Sequence, residues 1–204
     1  MLSAVIHGFI LAIGLILPLG AQNIFIFNQG ARAPRITGAL AAIIAAAFSD
    51  TLLIFLAVSG ASLLLFSDPR VQRLIMAGGV LFLIWIGFSI WKEQVNLKPN
   101  HAELFAAKKQ VTFALSVSLL NPHALLDTIG VIGTNAFNYS GSEKWAFAAA
   151  CASVSWLWFF GLAWCGHGVG KISDGTRIRS LVNKLSAVMI WGIALYLAFS
   201  LLPR

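Results

Sequence analysis

Four long windows of this chain contain no Asp, Glu, Lys or Arg: Met1 to Ala31, Leu74 to Trp91, Trp145 to Gly170 and Leu185 to Pro203. Two more, Ile36 to Ser67 and Gln110 to Ser142, contain one charge each, Asp50 and Asp127. About 20 apolar residues in a helix cross a bilayer, and lipid leaves backbone polar groups no partner except those inside the helix. The pattern therefore predicts an all-α integral membrane protein with six transmembrane helices, over roughly 4–27, 37–60, 73–91, 111–135, 145–168 and 183–202. Only 10% of residues are charged, against about 25% in a soluble domain.

The net charge of +7 does not point to nucleic acid, because the basic residues cluster at the ends of the apolar windows. There they set orientation. Arg32, Arg35, Lys92, Lys98, Lys108, Lys109, Lys171, Arg177, Arg179 and Lys184 fall on one side of the bilayer, and only Arg70, Arg73, Lys144 and Arg204 on the other. This bias puts both termini outside the cytoplasm and the polar loop 92–110 inside. The first window has no charged leading segment and is too long for a signal peptide, so it is expected to stay as a helix. Cys151 and Cys165, fourteen residues apart in one helix, sit about 21 Å apart and cannot bridge within a chain.

Two windows carry interruptions that lipid would forbid. Helix one is broken by Pro18-Leu19-Gly20-Ala21-Gln22-Asn23, and helix four by Asn121-Pro122-His123, with Asp127-Thr128 following. Proline removes a backbone donor and clashes with the preceding turn. Broken backbone and an ionised side chain at membrane depth are tolerated only where they line a protein cavity. Asp50 behind Ser49 in helix two is a second intramembrane acid, read either as a hydrogen-bonded packing residue or as a proton site.

Several of these positions recur at a fixed spacing. Pro18 and Pro122, like Asn23 and Asp127, are 104 residues apart; Ser49 and Ser155, Arg73 and Arg179, and Trp85 and Trp191 are 106 apart. This agreement across three helices suggests a duplicated unit, repeat one over about 1–95 and repeat two over about 108–204, within a single domain. Three helices per copy require the second copy to be inverted. Transporters commonly place their site where discontinuous helices of inverted repeats meet.

Chemically, the half-helix N-termini would suit a carboxylate. Asp50 and Asp127 would take a cation or a proton, and Gln22, Asn23 and Asn121 would supply neutral donors and acceptors. Pro18, Gly20 and Pro122 would open the helices, and His123 is a candidate proton relay. Together these suit a zwitterion with an extra positive group. Two intramembrane aspartates also raise the alternative of an intramembrane enzyme, but the Tyr-Asp and Gly-x-Gly-Asp settings of aspartyl proteases are missing. No nucleotide-binding or metal motif occurs, and no cofactor is expected.

Pro18 to Asn23 with Asn28-Gln29-Gly30, Ser49-Asp50, and Asn121-Pro122-His123 with Asp127-Thr128 resemble the signatures of the LysE family of bacterial amino-acid exporters, closest to its arginine and lysine branch. The resemblance covers essentially the whole chain. It implies efflux of a basic amino acid across the bacterial inner membrane, driven by an ion gradient, with H+ the expected coupling ion. An exporter of neutral amino acids, with the aspartates handling only protons, is the alternative within transport. Self-association is left open. One departure matters: the family usually has proline where this chain has Ala21, so the first break is expected to be mild.

Overall fold

The structure, a computed structural model, describes residues 1–17, 20–60, 69–92, 106–119, 121–171 and 175–200. Its elements follow the apolar windows closely: α1 (Leu2–Ile16), α2 (Ala21–Arg32), a 3-10 turn (Ile36–Ala39) running into α3 (Leu40–Ser59), α4 (Pro69–Trp91), α5 (Ala107–Leu119), α6 (Pro122–Leu125), a π-helical segment (Leu126–Gly133), α7 (Thr134–Ala136), α8 (Gly141–Gly170) and α9 (Gly175–Ser200). Among the described residues there is no strand. By length and composition, Ile36–Ser59 and Gly141–Gly170 are each long and apolar enough to cross a membrane, and the bent pair α1 and α2 makes a third candidate.

The last two helices start earlier than the apolar windows suggest, α8 at Gly141 and α9 at Gly175, because a helix continues through polar interfacial residues once its apolar part is packed. The interruptions fall where expected. α1 ends at Ile16 and α2 begins at Ala21, after Gly20 in extended geometry (φ −76°, ψ 177°). The two axes are bent by 81°. The first break is therefore sharp, not mild, although position 21 holds no proline. Pro18 itself lies outside the described residues. Helix four stops at Leu119, leaves Asn121 outside any helix and restarts at Pro122, with the backbone of His123 inside α6. Nothing in the sequence reading anticipated the π-helical segment that follows. Wide π turns are rare and favour functional sites.

α8 is the rail on which the first broken helix is mounted. α1 packs on its first half and α2 on its second, while α3 packs on α8, α5 and the π segment, and α4 pairs with α9. The α2–α8 contact is close enough to exclude side chains. A Cβ added at Gly166 would lie 2.1 Å from the Phe27 carbonyl oxygen, one at Gly170 2.2 Å from that of Ala31, and one at Gly30 2.1 Å from that of Ala163. Gly166-x-x-x-Gly170 is thus a small-residue stripe that lets two backbones touch, the usual source of helix affinity in lipid. The alanines of α3 serve the same end: Ala42, Ala46 and Ala47 are fully buried.

The buried Gln110 clasps α5 to the start of α3. Its amide nitrogen donates to the Gly38 carbonyl (2.9 Å) and its oxygen accepts from the Ala42 N–H (3.1 Å), satisfying backbone groups that the helix start leaves orphaned. At the start of α8, His7 of α1 shares a hydrogen bond with the Tyr139 hydroxyl (2.8 Å), and the N-terminal ammonium meets Glu143.

The close α2–α8 approach predicts opposite outcomes for two glycines of one helix. Gly166→Ala is expected to lower stability by about 1–3 kcal/mol through overpacking. Gly161→Ala, whose added methyl meets nothing within 4 Å, is expected to be neutral or stabilising by up to about 1 kcal/mol through helix propensity. Thermal unfolding of both variants in detergent micelles measures the difference.

Candidate functional site

One cavity of about 110 Å³ lies at the level of the first break. On this measure a single water needs roughly 10–15 Å³, so the space holds several waters or a small solute. Its walls include Ile16, Gly20, Ala21, Gln22 and Asn23 around the first break, Asp50 and Ile54 of α3, and Asn121, Ala124, Asp127, Thr128 and Ile132 around the second break. Leu83 of α4, Cys151, Ser155 and Phe159 of α8, and Ile190 of α9 close it. Gln22, Asn23, Asp50, Asn121 and Asp127, singled out in the sequence on three different helices, thus share one space, and Gly20 lines it too. Pro18 falls outside the described residues, as do the side chains of Pro122 and His123.

Each wall has a reason to be there. The first intrahelical bond of α2 runs from the Ile24 N–H to the Gly20 carbonyl (3.2 Å). The positive end of the α2 dipole therefore meets the cavity, which Gly20, Ala21, Gln22 and Asn23 line. Asp50 projects from the middle of α3. The Gln22 side-chain amide donates to its carboxylate at 3.4 Å, and the Ser155 hydroxyl is aimed at the same group from α8. Asp127 sits in the first turn of the π segment, whose wider coil sets it and Thr128 against the cavity.

Asn23 is engaged at both ends of its amide. Its nitrogen donates to the Ile16 carbonyl at the end of α1 (3.0 Å), and its oxygen accepts from the Trp158 indole N–H of α8 (3.3 Å). A neighbouring indole, Trp156, donates to the Thr51 hydroxyl of α3 (3.1 Å). Sequence reasoning gave no site role to Ser155, Thr128, Cys151 or the two tryptophans. One signal for Ser155 was at hand: at the 106-residue spacing it is the counterpart of Ser49, beside Asp50.

This set of groups can do a specific thing. The positive end of a helix dipole attracts an anion, two carboxylates attract a cation or a proton, and side-chain amides fix orientation. Thr128, Cys151, Ser155 and apolar residues fill the rest of the wall, a lining suited to a small polar solute.

A family model described as LysE type translocator matches residues 13–201. The chain belongs to this family. The LysE-type match spans both breaks, Gln22, Asn23, Asp50, Asn121 and Asp127 of the cavity, and the α4–α9 pair. Among curated relatives, the chain is 51% identical over 200 residues to "Putative amino-acid transporter YisU" of Bacillus subtilis (strain 168), covering 98% of this chain and 91% of that one. It is 37% identical over 202 residues to "Arginine exporter protein ArgO" of Salmonella typhimurium and of Enterobacter sp. (strain 638), covering 97% of this chain and 94% of each of those. No solved structure matches the chain.

The Gln22–Asp50 contact predicts that Gln22→Leu, which keeps the bulk and removes the donor, lowers stability by about 1–3 kcal/mol, the cost of stripping a partner from a buried polar group. Gln22→Glu, which sets a second acid against the first, is expected to cost more at neutral pH than at pH 4. Unfolding midpoints in detergent at the two pH values check both.

Proposed function

We propose that this LysE-type protein exports a basic L-amino acid, arginine or lysine, across the bacterial cytoplasmic membrane by alternating access coupled to an ion gradient. The observation that carries the reading is the single cavity into which Asp50, Asp127 and the N-terminus of α2 all converge. A substrate with one carboxylate and two cationic groups matches that set sign for sign. Its carboxylate meets the positive N-terminal end of α2, and Gln22 and Asn121 orient its backbone. The two aspartates hold the cationic side chain and the coupling proton, with His123 the candidate to relay that proton. The arginine exporters among the relatives support the substrate class.

The proposed architecture is six membrane helices in two inverted three-helix repeats. The packing supports it: α1 and α2 on α8 in one half are matched by α5 and the π segment on α3 in the other, and α3–α8 and α4–α9 are the self-matched pairs. In this arrangement Pro18, Gly20 and Pro122 mark equivalent openings on either side of the site. Both termini face away from the cytoplasm, as the distribution of Lys and Arg indicates.

Uptake of labelled arginine into inside-out vesicles or proteoliposomes tests the proposal. Arginine and lysine are expected to compete, and homoserine and leucine not. Asp50→Asn and Asp127→Asn are each expected to reduce transport at least about 10-fold, the scale of losing one charge-assisted contact. Competition by leucine and homoserine alone would assign the site to neutral amino acids. Wild-type transport by both variants would remove the aspartates from it, and chemical alteration of the label in transit would indicate an enzyme.

A further inference from the structure

We propose that Trp158, acting through Asn23, is a positioning residue that sets the shape of the first helix break and thereby the affinity of the cavity. The inference rests on the transport reading above for its functional consequence, and on geometry alone for the staple itself.

The break leaves orphan groups on both sides. At the end of α1, the Ile16 carbonyl has lost its partner four residues on, because the helix stops. At the start of α2, Gly20 offers no side-chain cap. A junction of this kind, bent by 81° with only residues 17–20 between its helices, needs something to fix the angle. Asn23 spans it: one residue of α2 reaches back to the last helical carbonyl of α1. The oxygen of the same amide accepts from the Trp158 N–H, so both of its ends are held.

Trp158 is placed to do this from outside the cavity. Its ring lies with Phe9, Ile13, Leu17 and Cys165 in an apolar groove between α1 and α8, away from the lining of the polar site. An indole at membrane depth has a large apolar body and one donor that must find a partner. Here the body packs in the groove and the donor points inward to the break. Asn23 therefore has both ends of its amide committed to protein, so its part in the site is to hold the α2 N-terminus at the angle that presents its N–H groups to the solute. The second break is built from different residue types. At the 104–106-residue spacing, Asn23 corresponds to Asp127, and Trp158 to Leu52, which has no donor. The first break is pinned by this staple, and the second continues into the π segment.

The test uses the full-length protein with Cys165→Ser, leaving Cys151 as a reporter in the cavity wall, fully buried at rest. Trp158→Phe keeps the ring and deletes the donor; Asn23→Ala deletes the staple. Each is expected to speed alkylation of Cys151 by N-ethylmaleimide by at least about 3-fold. The double variant should do no more than the stronger single, because both remove one device. In transport assays the same variants should raise KM about 3- to 10-fold, the worth of a neutral hydrogen bond, with Vmax within 2-fold of wild type. Asn23→Asp, which keeps the acceptor for Trp158 and loses the donor to Ile16, tests the α1 arm if Trp158→Phe fails to reach the membrane, and should match Asn23→Ala. Effects of Trp158→Phe and Asn23→Ala that multiply, or a Trp158→Phe or Asn23→Asp protein with wild-type Cys151 labelling, would overturn the staple. Coupled labelling effects in a protein that moves no amino acid would uphold the staple and overturn the transport reading instead.

Discussion

Two carboxylates at membrane depth are the constraint around which this protein is arranged. An acid facing lipid costs a few kcal/mol or more, and that cost disappears only if the fold surrounds it with donors or water. Asp50 meets a glutamine from the first broken helix and faces a serine from α8, and Asp127 faces the same space from a widened helix. Building that space requires interrupted helices, since an unbroken helix keeps its backbone N–H groups to itself. Interrupted helices in turn require a rigid neighbour, and α8, the longest described helix, serves as one.

The remaining features follow from the need to hold broken segments still. Gly30, Gly166 and Gly170 bring α2 onto α8 at backbone contact. Gln110 ties α5 to the first turn of α3, and Trp156 ties α8 to Thr51. The last two satisfy polar groups that lipid cannot, and all of them join a segment of the first part of the chain to a segment of the second. The cavity therefore lies between segments from the first and second parts of the chain, as the proposed alternating access requires.

Much of this was legible in the chain because membranes make sequence unusually explicit. Charge-free windows mark the helices, and Pro18, Gly20 and Pro122 stand out because lipid punishes them. The polar residues Gln22, Asn23, Asp50, Asn121 and Asp127 stand out for the same reason, and the structure brings all five together. What stayed hidden depends on angles and partners. The absence of a proline at position 21 suggested a gentle bend, but the axes on either side of the break are bent by 81°. The π segment has no proline or glycine pattern that distinguishes it from an α-helix. Ser155 and Trp158 look like ordinary residues of an apolar helix until the face of α8 that carries them is seen against the break.

The measurement closest to the central claim is the environment of positions 50 and 127 in one protein. In a chain with Cys151→Ser and Cys165→Ser, cysteines placed by Asp50→Cys and Asp127→Cys should both react with a small water-soluble thiosulfonate, and a short bifunctional reagent should join them. Reaction of either position only with a lipid-soluble maleimide, or failure of the two to be joined, would contradict a shared polar cavity sealed from the bilayer.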